Sequence, residues 1–228
     1  MNDILQNQIA YYRARAGEYD EWFYRLGRYD RGPELNQLWF EEVAQLVEAV
    51  RALTPIQATL ELAAGTGIWT TELAAISQHV TALDASPEVL AINQRKVGNR
   101  PVSYRMVDLF EWQPDQQYDL VFMSFWLSHV PPERFDPFIA AVRRAVRPHG
   151  RVFMIDSLPE WTSTAKDHAA YQPDSIYHTR KLNDGQEYQI IKVFYDPDDL
   201  KRRLAAQGLA AEVHTTGRCF WWAQARPV

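Results

Sequence analysis

The stretch Leu60-Glu61-Leu62-Ala63-Ala64-Gly65-Thr66-Gly67-Ile68-Trp69-Thr70 decides how the whole chain is read. An apolar run ends in a glutamate, and two glycines one residue apart follow closely. Glycines at that spacing let the backbone turn tightly and let a ligand come near. Residues 69–76 continue with helical spacing, so the stretch reads as strand, turn and helix. In a parallel α/β sheet such a turn lies beyond the carboxyl end of a strand, where ligands bind.

Two nucleotide readings fail at this turn. A dinucleotide fingerprint needs a third glycine at position 70, where Thr70 stands, and Glu61 would repel a pyrophosphate. A phosphate-binding P-loop needs Gly-Lys-Ser/Thr, and no lysine lies between Arg51 and Lys96. The ligand expected here carries no phosphate at this point and is compatible with positive charge.

Working outward, short apolar strands at 58–62, 80–83, 102–106, 120–124 and 151–155 alternate with helical segments. Ser86-Pro87-Glu88 is a helix start, with a Ser cap, Pro in the first position and an acid in the first turn. Near-continuous apolar strands alternating with helices predict a parallel sheet covered on both faces. Upstream, residues 2–28 and 34–52 read as amphipathic helices. Downstream, 158–173 is a polar, aromatic-dotted connection. Residues 175–182 and 186–194 flank Asn183-Asp184-Gly185, a hairpin signal. An amphipathic helix at 196–207 and an antiparallel pair at 211–215 and 219–223 close the chain.

On these residues the chain resembles the class I S-adenosylmethionine-dependent methyltransferases. The run from Glu61 to Gly67 is similar to their first motif, with Ala63 in place of its first glycine. Asp84, 23 residues beyond Glu61, corresponds to the second acidic position. Val107-Asp108-Leu109 resembles the adenine site, and Tyr118-Asp119-Leu120-Val121-Phe122-Met123-Ser124 the fourth-strand motif. The resemblance implies S-adenosylmethionine as cofactor. Its methionine part would lie on Glu61, Ala63, Gly65, Thr66 and Gly67. The ribose would lie at Asp84, Ala85 and Ser86, and the adenine at Asp108 and Leu109. Ser124 and Phe125, where the fourth strand ends, complete the set.

Tyr12-x-x-x-Ala16-x-x-Tyr19-Asp20 also resembles the family, whose first helix folds over the cofactor. Tyr12 and Tyr19 share a helix face, and Arg15 is placed to pair with the cofactor's carboxylate. The competing reading is that these tyrosines only pack the helix, and Tyr11 is an alternative to Tyr12. The implied architecture is a doubly wound, seven-stranded, mostly parallel sheet whose last strand is antiparallel. A helical cover (1–54), a cofactor-binding core (55–157), a hairpin lid (158–195) and a completing segment (196–228) would form one domain.

Methyl transfer from a sulfonium is an in-line displacement that needs a base only when the nucleophile carries a proton. His129, just past the fourth strand, is the candidate base. The alternative is a structural histidine bonded to a backbone carbonyl. Trp126, Tyr177, His178 and Arg180 are candidate substrate residues. Arg180 or His178 would suit a carboxylate or phosphate, whereas a solvated hairpin edge is the competing reading.

Composition narrows the partners. The 228 residues carry 24 basic and 29 acidic side chains, a net charge of −5, without the basic surplus usual for nucleic-acid binding. One cysteine rules out a disulfide framework and a multi-cysteine zinc site, and no metal-ligand spacing occurs. No apolar run approaches the ~20 residues that span a bilayer. With no signal peptide visible, a cytoplasmic location without membrane contact is expected. Eight Trp, eleven Tyr and ten Phe favour a small organic substrate. An aromatic box also suits cationic amines, and the same rings would serve simply to seal a site from water. The expected function is methylation of O or N on a small metabolite. The alternatives are an NAD-dependent oxidoreductase and a non-catalytic S-adenosylmethionine-binding subunit. The oligomeric state is left open.

Overall fold

Alternate residues of the central strands enter two different cores, and that is what makes the sheet two-sided. In the computed structural model, which describes residues 2–168 and 175–228, the strands are β1 (Ile56–Leu62), β2 (Ser77–Asp84), β3 (Val102–Met106), β4 (Tyr118–Ser124) and β5 (Val146–Ser157). A hairpin of β6 (Tyr177–Lys181) and β7 (Glu187–Ile191) follows, then β8 (Leu209–Thr215) and β9 (Phe220–Pro227). Leu60, Leu62, Val121, Met123, Val152 and Met154 pack into one core, and Leu120, Phe122, Phe153 and Ile155 into the other. Each such side chain contributes about 1.5–3 kcal/mol by leaving water, so a one-residue slip in register is strongly disfavoured.

The main sheet has the order β3-β2-β1-β4-β5-β9-β8. The first five strands are mutually parallel, and β9 runs antiparallel to both β5 and β8. This is the doubly wound, seven-stranded arrangement expected, with the last strand of the chain reversed. Strand order reverses between β1 and β4, where Leu62 lies beside Met123. A crevice must open at that point because the connections leave to opposite faces.

The helices are α1 (Asn2–Ala14), α2 (Tyr19–Phe23), α3 (Pro33–Arg51), α4 (Ile68–Ile76), α5 (Pro87–Val97), α6 (Phe135–Ala145) and α7 (Pro197–Ala206). Two begin on side-chain caps. Ser86 Oγ accepts from the Val89 amide at 3.2 Å, and Asp196 accepts from the amides of Asp198 and Asp199.

The continuous helix predicted over 2–28 is not found. A 3-10 turn at Arg15–Gly17 separates α1 from α2. Gly17 weakens the helix there, and the bend lets Trp22 stack edge-on against Trp39 of α3, 5.3 Å away.

The hairpin forms as predicted around Gly185, whose amide donates to the Leu182 carbonyl at 3.0 Å. It packs on α1 through Tyr11, Leu182 and Ile190. Of the connection predicted at 158–173, residues 169–173 lie outside the described residues, as does that part of the predicted lid. Its described part is tied to the N-terminal region. The Trp22 indole donates to the Ser163 carbonyl at 2.8 Å, and Arg25 donates to the Thr162 carbonyl at 2.6 Å. Among the described residues no helix is long and apolar enough to cross a membrane.

Candidate active site

The acid at the end of β1 braces the glycine turn from behind. Glu61 is 1% exposed and lines neither of the two clefts in front of the turn. Its Oε2 accepts from the Thr70 hydroxyl at 2.6 Å, and Thr70 Oγ1 accepts from Asn93 Nδ2 at 2.7 Å. The same amide nitrogen lies 3.1 Å from the Gly65 carbonyl. Gly67 sits at φ +92, and a Cβ there would fall 2.8 Å from Asn93 Oδ1, so only glycine is accommodated. Burial pushes the Glu61 carboxyl up to about 8, against the opposing pull of the Thr70 hydrogen bond.

In front of the turn lies an open cleft of about 790 Å³, over the carboxyl ends of β1, β2 and β4. Asp84 presents both carboxylate oxygens to it. Oδ2 accepts from the Gly65 amide at 3.0 Å and Oδ1 from the Ser86 amide at 2.9 Å, so each oxygen keeps a second lone pair. Burial raises the Asp84 pKa, and the backbone N–H groups partly offset this. Asp108 Oδ1 accepts from the Phe110 amide at 2.9 Å. Phe110 and Trp126 wall the same end, with ring centres 5.4 Å apart. The buried Trp126 indole N–H has no partner among the described residues. Two wall residues, Ala63 (φ +53) and Phe125 (φ +52), hold a left-handed backbone that costs non-glycine residues roughly 1–2 kcal/mol each.

A second cleft, of about 590 Å³, shares Tyr12, Tyr19 and Phe125 with the first. At its edge the Tyr12 hydroxyl donates to His129 Nε2 at 2.7 Å, while His129 Nδ1 donates to the Ile191 carbonyl at 2.6 Å. That pairing fixes a neutral ring with both nitrogens engaged. Burial, and then the charge of Lys192, lower the His129 pKa to about 3. Lys192 is itself held. Its Nζ donates to Asp156 Oδ1 at 2.9 Å and to Ser128 Oγ at 2.8 Å. Burial disfavours the Asp156 carboxylate, but the Lys192 ammonium outweighs this and keeps its pKa below the usual value.

Arg15 and Arg180 also line this cleft. Arg15 is 9% exposed and ringed by Tyr11, Tyr19 and Tyr29, with its guanidinium carbon 4.8–5.7 Å from the ring centres.

Residues 59–150 match the family described as methyltransferase domain. Over the whole chain, the structure of DhpI in complex with SAH has a TM-score of 0.78 at 34% identity, covering 100% of this chain and 98% of that one. This chain belongs to the class I S-adenosylmethionine-dependent methyltransferases. The DhpI-SAM-HEP complex is similar to the same degree, at 35% identity over 98% of each chain. The demethylmenaquinone methyltransferase of Clavibacter sepedonicus is 28% identical over 192 residues, 78% of this chain and 74% of that protein. The N-methyltransferase NodS from Bradyrhizobium japonicum WM9, in complex with S-adenosyl-L-homocysteine, shares the fold at 16% identity. Its TM-score is 0.66 over 97% of this chain and 98% of that one. The oxidoreductase alternative gives way to this assignment.

For this methyltransferase, the structure sorts the predicted residues. Tyr12, Tyr19, Ala63, Gly65, Asp84, Ala85, Ser86, Asp108, Leu109, Ser124 and Phe125 line the first cleft. Arg15, Glu61, Thr66 and Gly67 do not. Arg15 faces the second cleft instead, among the rings of Tyr11, Tyr19 and Tyr29. Thr66 donates its hydroxyl to Asp20, which also pairs with Lys96 at 2.6 Å and so pins α2 to the turn.

Among the predicted substrate residues, Trp126 lies in the first cleft rather than the second. Tyr177 is 55% exposed because it alternates with His178 and Arg180 across the strand. His178 is buried near Phe194 and lines neither cleft. Arg180 alone reaches the second cleft.

Gln8, Phe110, Lys192 and His168 were not anticipated. Gln8 precedes Tyr12 by four residues and shares its helix face, a signal present in the spacing. Lys192 carried none, since a lysine near a hairpin normally marks solvent.

Proposed function

We propose that this enzyme methylates an O or N atom of a small organic molecule seated in the second cleft. The observation that carries this reading is the common wall. Tyr12, Tyr19 and Phe125 belong to both clefts, so a molecule in one abuts a molecule in the other. S-adenosylmethionine, when bound, supplies a methyl group activated on a sulfonium.

The chain's own residues bind, orient and exclude water. Asp84, with two oriented oxygens, would hold the ribose hydroxyls, and Asp108 the adenine amine. The carbonyls of the 63–65 turn would accept from the methionine ammonium, since the Ala64 and Gly65 amides are already given to Leu83 and Asp84. The buried Trp126 N–H and the cradle formed at Gly65 and Asp84 fit such a group. The N-terminal helices and the hairpin of β6 and β7 would enclose the substrate together.

His129 serves in this reading as a fixed acceptor that aims Tyr12, not as a base, because neither ring nitrogen is free to take a proton. Release of S-adenosylhomocysteine over a library of O- and N-nucleophiles tests the reaction, and calorimetry tests the site. Asp84→Ala is expected to weaken S-adenosylhomocysteine by about ten- to a hundredfold, the loss of one or two hydrogen bonds to a charged group. Unchanged affinity in that variant, or tight cofactor binding with no product from any nucleophile, would overturn the assignment.

A further inference from the structure

The second cleft has an unbalanced charge. Among the described residues, three cationic side chains line it and no carboxylate does: Arg15, Arg180 and Lys192. Lys192 is neutralised by Asp156 behind it. The two arginines are not neutralised by any described residue. No ion pair to either is formed among the described residues, and Glu18, the nearby acid, accepts instead from the Asn183 amide at 3.0 Å.

Their donors are almost unused. A guanidinium offers five N–H donors. Among the described residues Arg15 makes one side-chain hydrogen bond, to the Tyr29 hydroxyl at 3.2 Å, and Arg180 makes one, to the Thr179 carbonyl at 3.4 Å. Next to them, the buried Nδ1 of His168 has no partner among the described residues. Withdrawing charged groups from water without partners is costly, so an arrangement of this kind is complete only with an anion in place. A cationic amine is excluded from the same cleft by like-charge repulsion, although tyrosine rings surround it.

We infer that the second cleft is an oxyanion site, and that the substrate carries a carboxylate or phosphate-type group held by the guanidinium groups of Arg15 and Arg180. Forked N–H donors match either group bidentately. The inference rests on the methyl-transfer reading and narrows its substrate to anions. It moves Arg15 from the cofactor to the substrate and leaves Tyr177 and His178 outside the site.

The test is calorimetric, on the full chain saturated with S-adenosylhomocysteine. Inorganic phosphate, acetate and tetramethylammonium are titrated separately into wild type, Arg180→Gln, Arg180→Lys and the outward-facing control Tyr177→Ser. Phosphate or acetate is expected to bind wild type and the control alike, at least about tenfold more weakly to Arg180→Gln, and at an intermediate level to Arg180→Lys. The stronger of the two ions identifies the headgroup. Binding of tetramethylammonium in preference to both anions overturns the inference. So does anion binding that Arg180→Gln leaves unchanged, or no anion binding at all. S-Adenosylhomocysteine should bind all four proteins equally, so retained cofactor with no anion site sinks this inference while sparing the methyl-transfer reading.

Discussion

Tyr12 and His129, 117 residues apart, are joined by one hydrogen bond of 2.7 Å that closes the wall between the two clefts. The ring that accepts it is neutral and locked by the Ile191 carbonyl. A histidine so placed cannot collect a proton near neutral pH. The expected kcat/KM of the wild type is therefore level from pH 6 to 8 as far as this residue is concerned. Tyr12→Phe should lower it by roughly tenfold, through loss of a positioning bond worth about 1 kcal/mol or somewhat more. A limb near pH 6.5 in the wild type that vanishes in His129→Gln would restore the histidine as a base.

Glu61 and His129 tilt stability in opposite directions. Glu61 titrates at about 8 when folded against 4.5 ordinarily, so its contribution is complete at low pH and is lost as pH rises through 8. His129 titrates at about 3 against 6.5, so its contribution is complete above 6.5 and is lost as pH falls toward 3. Between pH 6.5 and 8 Glu61 acts alone of the two. Chemical denaturation should show the wild type losing roughly 1.5 kcal/mol over that interval relative to Glu61→Gln. Parallel curves for the two proteins would mean that the buried carboxyl is ionised throughout.

Ala63 stands where the related motif has glycine, and its backbone is left-handed. Removing its Cβ relieves that strain, against a small gain in unfolded-chain freedom. Ala63→Gly should raise stability by up to about 1 kcal/mol and the melting temperature by about 2–4 °C. A lower melting temperature would show that the Cβ makes a packing contact worth more than the strain.

The sheet was legible because its signals are local. Alternation of strand and helix, the Ser86-Pro87 start and the Asn183-Asp184-Gly185 turn each depend on neighbours in sequence. The acids of the cofactor cleft were legible for a related reason, since each follows its own strand end. The bend at Arg15 was not, because a single glycine in an otherwise helical pattern decides it only when Trp22 finds Trp39. Nor was the pairing of Lys192 with Asp156, 36 residues away. That contact exists only after the hairpin has folded onto the end of β5. The motif puts Glu61 with the ligand, yet its side chain turns away toward Thr70, a choice that one residue of strand alternation makes and composition does not.

Gln8 ties three elements with one side chain. Its amide nitrogen donates to the His129 carbonyl at 3.2 Å, and its oxygen accepts from the Ile191 amide at 3.0 Å. The same helix supplies Tyr12 to both clefts. A shift of α1 would therefore alter the walls of both clefts at once. A Gln8→Ala enzyme, whose α1 is held by two hydrogen bonds fewer, is expected to release S-adenosylhomocysteine faster than the wild type in stopped-flow measurements, and equal rates would show that α1 holds the cofactor without Gln8.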